Sequence, residues 1–348
     1  MKVGVIGAGS ISDYHLKHYA ANPNTEVVMI ADVNEELAKT KAASFNVPKY
    51  CADYKELLRD DTIEAVSITT PTFTHCNIVL DALAAGKHVL CEKPPAMTAA
   101  EAEQCAEAAA KSGRVLMYAF VLRFASDLQY LKQYEQNGNL GNIYYGEASR
   151  SVRCAVSNGW FLDKKKAGGG MLMDAAIHEL DQLLYLMGYP KPKSVLGFTT
   201  DANKDLYNTL QGVGGGWPSA DKAHYERTIE SVANGFVTFE NGAAILVKSA
   251  SIQFATQPGR YIEVMGDKAG AKLGDDLTIV TLDANNYMME YKPILGRKAD
   301  PFQGEFKHFV DCCMNQTPCI VKPEEAITLM SIINGIYKSA ETGKPVTF

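Results

Sequence analysis

Near-continuous apolar runs alternate with polar, helix-patterned stretches through the first 120 residues of the chain. The runs are "KVGVIGAG", "EVVMIADVN", "IEAVSITTP", "KHVLCEKP" and "VLMYAF". Between them Ser10 to Ala21, "NEELAKTKAASF", "THCNIVLDALAAG" and "TAAEAEQCAEAAAKSG" read as helices. Gly86 closes the third helix. The fourth has a threonine at its N-cap and a glycine on its C-terminal side. Strands that are apolar on both faces and separated by helices predict a doubly wound parallel sheet covered on both sides.

From about Leu122 this alternation stops. "GNIYYGEASRSV", "SVLGFTT", "SVANGFVTFENGAAILVKSASI", "RYIEVMGDKAGAKL" and "LTIVTLD" are strand-like, several with period-two alternation. They predict a large, mostly antiparallel sheet. The chain is therefore read as α/β, with one domain over 1–121 and a second α/β domain over 122–348. One helix interrupts the strands, at "GGGMLMDAAIHELDQLLYLMG". Leu172, Ala176, Leu180, Leu183 and Met187 line one face of it. Asp174, His178 and Asp181 line the other. Asp181 reads as part of a solvated face. Asp174 and His178 follow three glycines that permit close approach, and read as site residues. Residues 201–230 break the strand pattern, and Trp217, His224 and Tyr225 there would either close over a polar ligand or form a subunit contact.

Composition narrows the classes. A length of 348 residues suggests about two domains. A net charge of −6 gives no electrostatic basis for binding nucleic acid or an anionic membrane. No run approaches the roughly 18 apolar residues of a membrane span. The start, "MKVGVIGAG", enters a strand without a signal-peptide pattern. The eight cysteines include no Cys-x-x-Cys pair, which reads as reduced thiols in a cytoplasmic protein. "HELDQ" has glutamine where the zinc-binding H-E-x-x-H pattern has its second histidine, so no metal is expected.

Two short stretches carry chemistry. In "GAGSIS", Gly7 permits a tight turn, and Gly9 lets backbone approach a pyrophosphate. Ser12 stands where a third glycine or alanine is usual. Asp32 ends the second strand 20 residues beyond Ser12, where an acid holds the ribose hydroxyls of NAD. The alternative is a plain glycine turn in a flavodoxin-like sheet. In "VLCEKPPAM", a strand ends at Glu92 and Lys93, and Pro94 and Pro95 then stop regular structure. Strand ends of this kind hold ligands in doubly wound sheets. The alternative is an exposed Glu92–Lys93 pair of little energetic weight.

"GVIGAGSIS", "CEKP" and "GGGMLMDAAIHELD", in this order, resemble the Gfo/Idh/MocA family of NAD(P)-dependent oxidoreductases. The resemblance covers essentially the whole chain. It implies a Rossmann domain followed by an α/β domain whose open sheet makes a homodimer or homotetramer interface. It implies Lys93, His178 and Asp174 as catalytic residues: a lysine touching substrate and cofactor, a general acid/base, and a carboxylate that binds substrate or orients the site. Trp160 joins them in binding substrate. Gly7, Gly9, Ser10, Ile11, Asp32, Thr70, Pro71, His75, Glu92, Lys93 and Arg123 fall to the cofactor. Several positions depart from the family pattern. Thr72 replaces an asparagine, Pro95 a leucine and Phe161 an arginine, and the asparagine two positions before Arg123 is missing. The implied activity moves a hydride between a secondary alcohol of a sugar, sugar derivative or cyclic polyol and NAD, with NADP disfavoured by Asp32. The rival readings are NAD kept bound and recycled within each turnover, a non-catalytic NAD or sugar sensor, and a metalloenzyme.

Overall fold

The computed structural model describes residues 1–210, 225–296 and 299–348, so Trp217 and His224 lie outside the described residues. The chain divides into two compact units. In the first, strands β1 (Lys2–Ile6), β2 (Glu26–Ala31), β3 (Lys49–Cys51), β4 (Ala65–Ile68), β5 (His88–Cys91) and β6 (Leu116–Tyr118) form a parallel sheet in the order β3-β2-β1-β4-β5-β6. This is the order of a dinucleotide-binding sheet, whose chain direction switches beside β1. Helices α1 (Ser12–Ala21), α2 (Glu35–Phe45), α3 (Tyr54–Leu58), α4 (His75–Ala84) and α5 (Ala99–Ser112) make the crossovers. The strands are apolar because both faces are covered: Val3, Val5, Ile30, Val66, Ile68, Val89 and Leu90 are all buried. The end signals of α5 act as its sequence predicts. The Thr98 side chain accepts the Glu101 N–H at 3.2 Å, and Gly113 ends the helix at φ 65°. Strand β3 and helix α3 have no counterpart in the sequence pattern. Lys49 and Tyr50 point outward and only Cys51 is buried, which leaves no apolar run to read.

In the second unit, β7 (Ile143–Ser151), β8 (Pro192–Thr200), β9 (Val232–Phe239), β10 (Ala244–Ala250), β11 (Gly259–Gly266), β12 (Ala269–Leu273), β13 (Leu277–Leu282), β14 (Met288–Tyr291) and β15 (Val346–Thr347) form one sheet. Its order is β14-β13-β12-β11-β7-β10-β9-β8-β15, and every pairing is antiparallel except β7 with β10. The helices here are α6 (Ser126–Gln136), α7 (Lys164–Ala167), α8 (Ile177–Met187) and α9 (Leu206–Thr209). The apolar face of α8 packs on β7 and β11, with Leu180 and Leu183 fully buried. Period-two alternation puts Val195, Val237 and Ile245 on the covered face. It turns Leu196 and Phe236, which sit opposite each other, outward with Phe198.

Two further helices precede β15, α10 (Pro301–Asn315) and α11 (Pro323–Thr342). Residues Asp300–Ile327 group with the first unit, whereas the sequence pattern runs 122–348 as one segment. The reason is aromatic. Phe306 meets the rings of His15 and Tyr19 edge-on at 4.8 Å and stacks on His18 at 5.4 Å, so α10 docks on α1. In the second unit α11 sinks into a saddle on the sheet. Gly197 and Gly235 are cross-strand partners. A Cβ on Gly197 would overlap the Ile336 carbonyl, and one on Gly235 would lie 2.5 Å from the Ile336 side chain.

Candidate active site

The first unit builds a cradle around its glycine turn. Gly7 has φ 103°, and a Cβ there would lie 2.7 Å from the Thr69 carbonyl, so only glycine fits between β1 and the segment after β4. Thr69 locks this approach by donating its hydroxyl to the Gly7 carbonyl at 2.7 Å. Gly9 is different: the space its Cβ would occupy is open, as close approach of a pyrophosphate requires. Ser12, standing for the third glycine, donates its hydroxyl to the Gly9 carbonyl at 2.6 Å and is buried. Asp32 accepts the Ala8 N–H at 2.7 Å and the Asn34 N–H at 2.8 Å. The carboxylate at the end of β2 is thereby tied to the glycine turn. Ser10 and Ile11, half-buried, lead from the turn into α1. An open Gly9 face with an oriented acid beside it fits a dinucleotide.

At the end of β5, Glu92 is buried and faces inward, which removes the reading as an exposed pair. One oxygen meets His15 Nε2 at 3.0 Å, and the other accepts the Lys93 N–H at 3.1 Å. His15 Nδ1 meets Ser67 Oγ at 3.0 Å, and that hydroxyl meets Tyr19 Oη at 2.8 Å. A buried chain of four polar groups thus anchors the residue before Lys93. Lys93 itself is half-buried, and the Lys93–Pro94 peptide is cis. His75 is buried between two carbonyls, with Nδ1 2.8 Å from Pro94 O and Nε2 2.9 Å from Thr70 O. Burial pushes its pKa down. The neutral ring has one N–H to donate, so one carbonyl accepts it while the other ring nitrogen only packs against its carbonyl. His75 thus sits between the segment of Thr70 and Pro71 and the turn after Lys93. Thr72, in place of the usual asparagine, is buried.

The second unit carries Asp174 and His178, both half-buried. The sequence predicts one regular helix here; the structure opens it with a π-helical turn, Leu172–Ala176, before α8 begins. Such wide turns recur at functional sites. The glycines before it serve packing as well as access. A Cβ on Gly169 would overlap the Tyr337 hydroxyl, and one on Gly170 would lie 2.5 Å from the Glu230 carbonyl. A pocket of about 30 Å³ opens among Asp174, Phe161, Gly170, Tyr207, Arg227 and Ser251. That is water-sized, enough for a hydroxyl group. Arg227 is held by Asp201 and by Ser231 Oγ, the latter at 3.0 Å, and Tyr207 donates to Ser157 O at 2.5 Å. Nothing in the sequence pattern marks Tyr207 or Arg227, because both lie in the irregular 201–230 stretch. Tyr225, in the same stretch, accepts Lys166 Nζ at 2.8 Å. Trp160 stacks on Phe161 at 4.0 Å.

The helix face beyond His178 corrects one expectation. Asp181 is not solvated: it is 1% exposed and takes Arg123 Nε at 2.9 Å and Nη2 at 2.6 Å. Arg123 is fully buried, and Tyr189 Oη joins both partners, accepting from Arg123 at 2.8 Å and donating to Asp181 at 2.6 Å. The spacing from His178 puts Asp181 on the polar side of the helix, and a cation elsewhere in the unit fills that side.

Comparisons agree with this architecture. Residues 1–120 match a family described as an oxidoreductase family with an NAD-binding Rossmann fold, and residues 136–348 match its C-terminal alpha/beta domain. The chain is 32% identical over 350 residues to D-glucoside 3-dehydrogenase of Escherichia coli K12, covering 99% of this chain and 97% of that protein. A levoglucosan dehydrogenase structure with NADH and levoglucosan superposes with a TM-score of 0.83 at 22% identity, covering 100% of this chain and 99% of that one. The aldose-aldose oxidoreductase of Caulobacter crescentus superposes with a TM-score of 0.81 at 21% identity, covering 100% and 99%. With an NAD-binding Rossmann unit followed by the matching α/β unit, the chain belongs to the Gfo/Idh/MocA family of oxidoreductases.

Proposed function

We propose that the protein oxidises a secondary alcohol of a glucoside, related sugar or cyclic polyol, with Lys93, Asp174 and His178 as its catalytic residues. The observation that carries this reading is the anchoring of Glu92 by His15. It fixes the backbone from which Lys93 emerges, at the carboxyl end of a parallel strand, where doubly wound sheets bind ligands. Bound NAD supplies the hydride acceptor. Asp32 favours NAD, because its carboxylate accepts ribose hydroxyls and repels a 2′-phosphate. The Lys93 ammonium stabilises negative charge developing on the substrate oxygen. His178 takes the hydroxyl proton, since imidazole is the side chain best suited to general base catalysis near neutral pH. His75 does not compete, because both its nitrogens face carbonyls. Asp174 borders the hydroxyl-sized pocket and binds a neighbouring hydroxyl or orients the imidazole. The sugar class is supported by the similarity to a glucoside dehydrogenase over nearly the whole chain. The outward row of Leu196, Phe198 and Phe236 supports pairing of two copies through the open sheet.

The test is a screen for NAD and NADP reduction over glucosides, aldoses, anhydrosugars and inositols, run on the wild type and two variants. His178→Asn should lower turnover by roughly 100- to 10,000-fold, and Lys93→Met by on the order of 100-fold. NAD binding should survive in both. Full turnover in His178→Asn would overturn the base, and equal efficiency with NADP would overturn the role of Asp32.

A further inference from the structure

The end of α10 gathers three soft donors that the proposed reaction does not use. His308 and Cys312 stand four residues apart on one helix face, and His308 Nε2 lies 3.4 Å from Cys312 Sγ. After α10, Gln316 turns the chain back with φ 55°, which brings Cys319 to the same place. The three donor atoms lie within 4.8 Å of one another. The Ile320 N–H points at His308 Nε2 at 3.1 Å, so that nitrogen carries the lone pair and the proton sits on Nδ1. This is the tautomer a metal ligand needs. The sequence gives no hint of the group, because the spacing H-x3-C-x6-C matches no common zinc pattern.

We propose that His308, Cys312 and Cys319 bind a thiophilic d10 cation, Zn²⁺ in the first instance. Tetrahedral zinc with Zn–S of about 2.3 Å and Zn–N of about 2.0 Å has ligand–ligand edges of roughly 3.5 to 3.8 Å. The 3.4 Å edge already matches, and the rest of the triangle needs only a small contraction. Two thiolates and an imidazole select Zn²⁺ or Cu⁺ over Mg²⁺ or Ca²⁺. On binding, both thiols release their protons to solvent, and the cation replaces the Ile320 N–H and the Cys312 thiol as partner of the Nε2 lone pair. Cys312 is buried, but His308 and Cys319 are half-exposed, so the fourth position falls to water. The cation would clamp the turn between α10 and α11, a structural role separate from the proposed chemistry.

Fully reduced protein is titrated with Co²⁺ as an optical probe, then with Zn²⁺ against a chromophoric chelator. The expected result is one equivalent bound, with a thiolate-to-cobalt charge-transfer band and affinity that rises with pH as thiol protons are lost. Cys319→Ser and His308→Gln should each weaken Zn²⁺ binding by more than the roughly 10- to 100-fold typical of outer-shell changes. Cys154→Ser, which alters a half-buried thiol in the second unit, should leave binding unchanged. Retained NAD binding shows that the variants are folded. Absence of a stoichiometric band, or its survival in Cys319→Ser, overturns the proposal. So does a Cys312–Cys319 disulfide in air-prepared protein whose reduced form takes up no Zn²⁺.

Discussion

The two units differ in how they bury the carboxyl groups near β5 and along α8. In the first, the groups around β5 form a chain of neutral or titratable partners: Glu92, His15, Ser67 and Tyr19. Beside it Glu305 is fully buried, and neither of its oxygens has a hydrogen-bond partner among the described residues. In the second unit, buried carboxylates meet guanidinium groups. Asp181 holds Arg123, and Glu179, 2% exposed, takes Arg150 at 2.8 Å and Arg260 at 3.0 Å. Guanidinium stays charged across any working pH, so the cationic half of each pair is fixed. Among the described residues, the first unit leaves a buried carboxyl without a cation, and the second sets guanidinium groups against the buried carboxylates of α8.

The sharpest way to break this comparison is Arg123→Met. It strands the Asp181 carboxylate in the interior and should cost about 3–5 kcal/mol in denaturant unfolding. Arg123→Met with Asp181→Leu should recover much of that loss, since an apolar pair carries no buried charge. A single variant within about 1 kcal/mol of the wild type would show that the pair is not the strut described here.

The next effect has the opposite sign. Burial, reinforced by the charge of Glu92, pushes the Glu305 carboxyl well above the usual carboxylate range. The folded state therefore keeps a proton that the unfolded chain loses above the ordinary glutamate pKa. The unfolded state binds fewer protons, and stability falls as pH rises from that value toward the folded one. Glu305→Gln keeps the shape and cannot ionise. It should stabilise the protein at neutral pH, because glutamine carries no proton that the unfolded chain releases, while the burial of a polar group stays the same. Melting curves from pH 5 to pH 8 should show the gain growing with pH; a constant difference would mean that Glu305 is ionised in the folded state throughout. The smallest effect sets the scale. Lys39 and Glu36 pair at 3.5 Å with side chains 53% and 80% exposed. Lys39→Ala should change unfolding by less than about 0.5 kcal/mol. A larger loss would mean that pairing without burial matters here, and would blur the contrast between the units.

Most of the fold is legible in the sequence because burial on both faces leaves apolar runs, as in β1, β2, β4 and β5, and because Thr98 and Gly113 mark the ends of α5. Strand β3 escapes because a three-residue edge with one inward side chain has no period. Lys93, Asp174 and His178 are legible as a motif in order along the chain. The π-helical turn under Asp174 is not, since residue spacing alone does not distinguish a widened turn from a regular one. Asp181 is misread for a related reason: its partner Arg123 lies 58 residues away, and periodicity records which face a residue occupies, not what waits there. Arg227 and Tyr207 are invisible because their stretch has neither strand nor helix pattern.

The saddle under α11 has an evolutionary consequence. Gly197, Gly235 and Ile336 fill one another's space, so none of the three drifts independently. A side chain at Gly197 must wait for the helix to lift, and one at Gly235 for the helix to lift or for Ile336 to shrink. A smaller residue at Ile336 alone opens a void that selection for stability removes. Single substitutions at either glycine are thus expected to destabilise the protein unless the packing of α11 changes with them. Libraries that randomise the outer sheet one position at a time will find these sites closed, while libraries that vary all three together will find new packings of α11 on β8 and β9.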